Sequence, residues 1–235
     1  MNMLIVIFLL VSIFKSEASR LQCDLIQNEM RFDCFPEPGA NALECTKRGC
    51  CWDKPDFVSE NKLKERNAVP YCFFPHDFPG YELIDSTQIT SNSYIYSIQK
   101  NASTFRENEI LKLQVRLDLE SNERLHVQIV DPNKRRFEVP LNNLNKKKHR
   151  NIKDNDYQIY IGKKPFSIKI YRRSTGRVIF DTSVAPLIYA DQYIQFSTML
   201  VNQHFYGVGE HRDVLAHDTM WNGFTMWNRL DFRND

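Results

Sequence analysis

The residues with the clearest chemical potential are six cysteines, all between Cys23 and Cys72. The stretch "ECTKRGCCWDK" contains three of them, with Cys50 and Cys51 adjacent. Clustered cysteines in even number either form disulfides or bind zinc. Zinc is disfavoured because adjacent cysteines do not suit the spaced ligands of a tetrahedral site, and no histidine lies among them. We therefore expect a disulfide framework and no metal.

The amino-terminal residues indicate an oxidising compartment. A predominantly apolar run, Met3 to Phe14, precedes small residues at Ser16 and Ala18, which is the pattern of a signal peptide over residues 1–19. The run is short for a bilayer span, although an uncleaved anchor continuing through Lys15 is an alternative. We expect a secreted or extracellular protein, with lysosomal or membrane-anchored locations as alternatives, and disulfides persist in such compartments.

Charge and small motifs exclude several classes of partner. The chain has 31 basic and 29 acidic residues, interspersed, so it has no electrostatic footprint for nucleic acid. We interpret the basic run "NKKKHR" (145–150) as a solvated loop, with an anionic-surface patch as the alternative. "YGVGE" contains G-x-G, but no βαβ unit precedes it, so we expect neither a phosphate loop nor a cofactor.

Composition divides the chain at the joint "FFPHDFPGYEL", with a cysteine-dense region at 21–75 and a cysteine-free region at 76–235. The first region is too short for a large core, so disulfides must contribute much of its stability. In the second region apolar residues alternate in "LKLQVRLDL", "RLHVQIV", "YQIYI" and "FSIKI", with a further strand-like segment in "RRFEVP". Short alternating strands joined by polar turns predict a mostly β protein with an antiparallel β-sandwich and no substantial helix after Pro75.

The cysteine-dense region resembles a trefoil, or P-type, domain. The resemblance rests on "CDLIQNEMRFDC", "ECTKRGCCWD" and "VPYCFFP", including an Arg and an Asp shortly before the second cysteine and the Gly-Cys-Cys-aromatic step. Spacing alone leaves fifteen pairings open. The resemblance implies the bridges Cys23–Cys51, Cys34–Cys50 and Cys45–Cys72. This sequence departs from the family in a longer last loop, which carries "FVSENKLKERN".

The trefoil resemblance also implies weak glycan binding in the cleft between the last two loops. An exposed aromatic ring there can lie against the apolar face of a sugar. Tyr71 stands where the family usually has Trp, and Trp52 and Phe73 are its aromatic neighbours in the motif. The alternative is that these three rings only cover a small core. Glycans or glycoproteins are therefore the expected partners.

The second region resembles the N-terminal β-sandwich, of the galactose mutarotase-like type, in family 31 glycoside hydrolases. The resemblance rests on "NERLHVQIVDPNKRRFEVPL", "STGRVIFDTSVAPLIYADQYIQFSTML" and "FYGVGEHR". This family includes maltase, sucrase-isomaltase and lysosomal α-glucosidase, and these enzymes carry a trefoil directly before the sandwich. The resemblance implies that Glu210, His211, His217 and Asp218 are structural residues and not metal ligands.

Family 31 catalysis uses an Asp nucleophile in a W-x-D-M-N-E stretch and a second Asp, both in a barrel beyond the sandwich. Retaining hydrolysis needs two such carboxylates flanking the bond. The given sequence contains no W-x-D-M-N-E stretch, so we assign no catalytic residue and expect no hydrolysis by this chain alone. A C-terminal catalytic domain is the corresponding missing partner, and an ending inside a presumed substrate loop favours a longer protein.

That substrate loop is "WNGFTMWNRLDFRND". The family has Arg-Asp there, with the Asp touching the sugar, whereas this sequence has Arg229, Leu230 and Asp231. Either Asp231 takes over the contact in a shifted loop, or the contact is lost, because leucine accepts no hydrogen bond. Separately, Asn101 begins the sequon Asn-Ala-Ser in a polar stretch and is the predicted glycosylation site.

Two functional hypotheses follow. The first is a secreted, carbohydrate-binding, non-catalytic N-terminal part of a family 31 α-glucosidase. The alternative is a freestanding secreted trefoil protein that binds mucin-like glycoproteins. Transcript sequence downstream of Asp235 discriminates between them, since a reading frame that continues to W-x-D-M-N-E supports the enzyme.

Oxidation of all six cysteines is directly testable. Alkylation of the unreduced secreted protein, followed by mass spectrometry, should label no cysteine, because a disulfide framework leaves no thiol. Reduction before alkylation is the control and should label all six. Two or more labelled thiols in the unreduced protein would contradict the framework.

Overall fold

The computed structural model describes residues 23–54, 69–135, 137, 155–200, 204–207 and 215–217. The predicted leader at 1–19 and the basic run at 145–150 lie outside these residues. Within the described part, no helix has the length and apolar character needed to cross a membrane. The fold is mostly β, as predicted, and its sheets are antiparallel.

The elements follow the two regions of the sequence. In the cysteine-dense region, a 3₁₀ turn (Asn28–Met30) is followed by helix α1 (Ala42–Lys47) and by the paired strands β1 (Cys51–Trp52) and β2 (Cys72–Phe73). The strands of the second region are β3 (Glu82–Thr90), β4 (Ser93–Gln99), β5 (Lys112–Ser121), β6 (Arg124–Val130), β7 (Tyr157–Lys163), β8 (Phe166–Arg172), β9 (Val178–Asp181), β10 (Ile188–Ala190) and β11 (Tyr193–Gln195).

Helix α1 explains why two cysteines can be adjacent. Its N-cap, Asn41, accepts a hydrogen bond from the Glu44 amide at 3.0 Å, which satisfies a donor that the first turn leaves open. The helix is followed by Gly49 at φ 77°, a left-handed conformation that glycine adopts without steric penalty. The chain then passes through Cys50 into β1, which begins at Cys51, and the two adjacent cysteines bond to different partners, Cys34 and Cys23.

Three disulfides join the cysteine-dense region. They are Cys23–Cys51, Cys34–Cys50 and Cys45–Cys72, which is the pairing that the trefoil resemblance implies. Because all six sulfurs are bonded in these bridges, none is available as a thiolate ligand. The region has little regular structure, so these cross-links and a few backbone hydrogen bonds fix its loops.

The second region contains two larger sheets that share one core. One sheet has the strand order β3-β4-β5-β6 and the other β7-β8-β9, with neighbouring strands in sequence order, as in a meander. Buried residues from both sheets, including Val115, Leu117, Ile168 and Ile170, form a single hydrophobic cluster. Two antiparallel sheets around one core are consistent with the predicted β-sandwich.

Period-two alternation identified several strands correctly. In β5, Leu113, Val115, Leu117 and Leu119 are buried while the residues between them are more exposed. A two-residue turn after Ser121 joins β5 to β6, and the two strands pair. Polar residues also form the turn after β6, since the Asn133 amide donates to the Asp131 carboxylate at 2.9 Å. The strand-like segment "RRFEVP" lies mostly outside the described residues.

Strand β3 was not predicted, because its sequence lacks a clear alternation. Among the described residues it lies at the edge of its sheet, and most of its residues are exposed, including Ile84 and Ile89. Its pairing with β4 is interrupted by register shifts between Leu83 and Asp85 and between Gln88 and Thr90. These bulges add local twist to the edge of the sheet.

The trefoil region and the sandwich share a second hydrophobic cluster. Four half-cystines pack there with Phe74 and Phe78, and the fully buried Ile188 of β10 joins them from the sandwich. Phe105, in the loop between β4 and β5, packs against Phe78 with ring centroids 6.3 Å apart. The two regions therefore bury apolar surface against each other.

The loop that carries Phe105 is fixed by a buried ion pair. The Nζ of Lys100 lies 2.8 Å from the Oε2 of Glu109, and both side chains are almost completely inaccessible to solvent. The backbone amide of Thr104 donates to the other carboxylate oxygen at 3.1 Å, and the Thr104 hydroxyl donates to it as well. Because two charges are buried at this site, removal of either one leaves the other without compensation.

We predict that Glu109→Gln lowers the free energy of unfolding by about 3 to 5 kcal/mol, because it leaves the Lys100 ammonium buried and unpaired. The control is Glu82→Gln, which removes a pair with Lys164 at the same 2.8 Å separation but on the surface. We expect it to cost about 1 kcal/mol or less. Urea denaturation followed by tryptophan fluorescence measures both variants, and equal losses would contradict the prediction.

Candidate functional site

A surface groove in the trefoil region contains two of the three predicted aromatic residues, Trp52 and Tyr71. It has a volume of about 630 Å³, a size common for small-ligand sites. One wall is the segment 33–40, and the other comprises Trp52 and the segment 69–72. At the base, the Cys34 amide donates to the Cys72 carbonyl at 3.1 Å, which holds the two walls together.

Two rings form the aromatic wall. Trp52 and Tyr71 lie on the paired strands β1 and β2 or beside them, and their ring centroids are 5.9 Å apart in an edge-to-face arrangement. The Asp53 amide donates to the Tyr71 carbonyl at 2.9 Å, which fixes the backbone beneath both rings. Tyr71 is 40% exposed, so part of its surface is open to a ligand.

The prediction that Phe73 contacts a sugar is wrong. Its relative exposure is 0%, and the Arg31 guanidinium lies over its ring at 4.3 Å from the centroid. Arg31 also donates to the Asp53 carboxylate at 2.6 Å. Phe73 is therefore a core residue, as the alternative interpretation of the three rings proposed for it.

The opposite wall, the segment 33–40, carries two carboxylates among mostly apolar residues, and we call it the polar wall for these two groups. Asp33 accepts a hydrogen bond from the Phe35 amide at 2.8 Å. Burial raises the pKa of Asp33 above its ordinary value, and this outweighs the opposing effects of the Phe35 amide and the positive charge of Arg48. Glu37 also lines the groove, and its side chain is one-third exposed.

Arg48, just beyond α1, organises this polar wall. Its guanidinium donates to the Cys34 carbonyl at 3.1 Å and to the Glu37 carboxylate at 3.0 Å. It also lies over the Phe35 ring at 3.4 Å from the centroid. Hydrogen bonds and a cation–π contact thus hold three neighbouring residues of the wall to one side chain.

The remaining site predictions concern Arg229, Asp231 and Asn101. Arg229, Leu230 and Asp231 lie outside the described residues, so the substrate-loop hypothesis stays a prediction. The inserted segment "FVSENKLKERN" lies outside them as well. Asn101 is exposed, which is the surface position that its predicted glycosylation requires.

Sequence reasoning missed the polar wall. The signals were present in "FPEPGAN", where prolines and a glycine indicate an exposed loop next to the second cysteine. The residues of the sandwich that hold this loop could not be identified from sequence. Gln195, for example, donates to the Asp33 carbonyl at 3.1 Å across a sequence separation of 162 residues.

The groove lies within a domain that the comparison with protein families identifies. Residues 23–75 match the family model of the trefoil (P-type) domain, and the described disulfides and paired strands lie in that range. This region is a trefoil domain.

Nearly the whole chain is also similar to α-glucosidases. It is 36% identical over 208 residues to lysosomal alpha-glucosidase of Rattus norvegicus, which is 88% of this chain and 21% of that protein. It is 31% identical over 218 residues to intestinal sucrase-isomaltase of Homo sapiens, covering 91% of this chain and 11% of that protein. It is 32% identical over 203 residues to probable maltase-glucoamylase 2 of Homo sapiens, which is 85% of this chain and 8% of that protein.

The similarity thus reaches from the trefoil into the sandwich and agrees with the family 31 resemblance inferred from sequence motifs. The chain spans about a fifth of the length of the lysosomal α-glucosidases that it matches and about a tenth of that of the sucrase-isomaltases.

The raised pKa of Asp33 predicts a pH-dependent stability effect. As pH rises, the unfolded chain releases this proton first, so ionisation of Asp33 lowers the free energy of unfolding between the ordinary and the raised pKa. Asp33→Asn can keep the acceptor for the Phe35 amide but has no proton to release. Its melting temperature relative to wild type should therefore be higher at pH 7 than at pH 3.

Circular dichroism melting curves of both proteins at pH 3, 5 and 7 provide this measurement. The assignment would be contradicted if the melting temperature of Asp33→Asn minus that of wild type stayed constant or fell as pH rises.

Proposed function

We propose that this chain binds neutral carbohydrate through the trefoil groove and is the non-catalytic N-terminal part of an α-glucosidase that enters the secretory pathway. The observation that carries the binding proposal is the pairing of an exposed aromatic wall with a carboxylate wall across one groove. A sugar ring offers an apolar C–H face to an aromatic side chain and hydroxyl donors to carboxylate oxygens.

The dimensions of the groove agree with a short oligosaccharide. The exposed part of Tyr71 supplies the stacking surface, with Trp52 behind it at 5.9 Å. Glu37 and Asp33 supply acceptors on the other side. The site is shallow and open, so we expect weak binding, with dissociation constants on the order of 1 mM, equivalent to about −4 kcal/mol.

The assignment to an α-glucosidase rests on the similarity to lysosomal alpha-glucosidase and to sucrase-isomaltase over most of this chain. In this proposal, hydrolysis belongs to a barrel domain that the 235 residues do not include, and the trefoil groove holds a glycan near it. The three disulfides agree with passage through an oxidising compartment.

Two probes separate the possible sources of the glycan. Maltotriose represents the α-glucan substrates that the names of the relatives indicate, and N-acetyllactosamine represents glycoprotein glycans. Titration of the ¹⁵N-labelled chain with each sugar, followed by NMR shifts of the Trp52 indole and the groove amides, identifies the bound class. Binding of only N-acetyllactosamine would favour the alternative, an interaction protein for mucin-like glycoproteins, and binding of neither at about 10 mM would reject the groove as a glycan site.

Tyr71→Ala should weaken binding of the sugar that titrates by about 1 to 2 kcal/mol, roughly tenfold, because it removes the exposed stacking surface. Tyr160→Ala is a matched control, since Tyr160 is 51% exposed and lies on β7, away from the groove. Circular dichroism confirms that both variants fold. Unchanged affinity in folded Tyr71→Ala would leave only the structural role of this ring.

A further inference from the structure

Residues of the sandwich contact the polar wall of the trefoil groove. Arg106, in the sandwich loop between β4 and β5, forms an ion pair with the Glu37 carboxylate. Arg48 of the trefoil binds the second oxygen of the same carboxylate at 3.0 Å. Glu37 is therefore fixed between one cation of its own domain and one of the sandwich.

The position of Arg106 is itself determined by the sandwich. Its guanidinium lies over the Tyr193 ring of β11 at 3.9 Å from the centroid. The Tyr193 hydroxyl donates to the Gln195 side-chain oxygen at 2.7 Å, and the Gln195 amide donates to the Asp33 carbonyl. The hairpin β10–β11 thus contacts both ends of the polar wall, one end directly and the other through Arg106.

The loop that carries Arg106 is not free to adjust. The buried pair of Lys100 and Glu109 closes it, and the Ile110 amide donates to the Tyr189 carbonyl of β10 at 2.9 Å. The Asp191 amide further donates to the Asn108 carbonyl at 3.3 Å. Because the loop between β4 and β5 is closed by an ion pair and hydrogen-bonded to the hairpin β10–β11, the Arg106 guanidinium has a defined position.

We propose that Arg106 is a positioning residue for the trefoil groove, which fixes Glu37 and the segment 35–40 opposite Trp52 and Tyr71. The groove is then a composite site, with its surface supplied by the trefoil and its geometry set by the sandwich. This inference rests on the proposed function for its ligand, a neutral glycan, but the placement of the wall by Arg106 can be tested without one.

The ligand-independent test is hydrogen–deuterium exchange of the full chain. Arg106→Gln should raise exchange rates several-fold in peptides covering residues 35–41, and Arg106→Lys, which keeps a cation for Glu37, should fall between the variant and wild type. The control is Arg116→Gln, which removes another ion-paired arginine of the sandwich, at 2.7 Å from Asp118, and should leave this segment unchanged. Unchanged exchange in Arg106→Gln would overturn the proposal.

The ligand-dependent test is a double-mutant cycle with the sugar identified by NMR. Arg106→Gln and Glu37→Gln should each weaken binding about fivefold, and the double variant should be no weaker than either, because the arginine acts through the carboxylate. The proposal would be overturned if the two effects on the dissociation constant multiplied in the double variant. It would also be overturned if Arg106→Gln did not change the affinity for a sugar that wild type binds. If wild type binds neither sugar, the proposed function fails while the exchange experiment still decides whether Arg106 places the wall.

Discussion

The trefoil has too few residues to enclose its own apolar side chains, and its contacts with the sandwich follow from that shortage. Disulfides limit the freedom of the unfolded chain, but they do not cover aromatic surface. Phe74 of the trefoil is buried in a cluster with half-cystines and with Phe78 and Ile188, which the second region contributes. Phe105, in the loop between β4 and β5, packs against the same cluster, and the Arg48 guanidinium of the trefoil lies over its ring at 4.8 Å from the centroid. The hydrophobic requirement of the smaller domain thus determines where the larger one must lie.

In this arrangement the buried ion pair of Lys100 and Glu109 has a role besides its contribution to the stability of the fold. Burial of Lys100 and Glu109 costs desolvation free energy that apolar residues of similar size would avoid. In return, the pair and Thr104 define the course of a loop that must place both Phe105 and Arg106 against the trefoil. An apolar substitute would fill the same volume without directional bonds. The position of the loop, and with it the polar wall of the groove, follows from those bonds.

Much of this organisation could be predicted from local sequence patterns. Alternation in "LKLQVRLDL" identified β5, and the cysteine spacing with its flanking residues identified the trefoil. Strand β3 could not be identified, because an exposed edge strand has no buried face to impose alternation. Tyr71 and Trp52 could be predicted as groove residues. The burial of Phe73 could not be predicted, because the residue types of a short motif do not show which of its aromatic side chains are buried. Arg106 and Gln195 act across long sequence separations and leave no local signal.

The register shifts in β3 have a consequence for behaviour at high concentration. Among the described residues, this strand has a neighbour on one side only, and it exposes Ile84 and Ile89. A regular edge of that kind is a template on which another polypeptide can add a strand and begin aggregation. Two bulges interrupt the regular spacing of donors and acceptors along β3, and Asp85 follows the first. Intermolecular pairing along the edge is thereby restricted to short segments, which lowers the tendency of the folded protein to aggregate at high concentration.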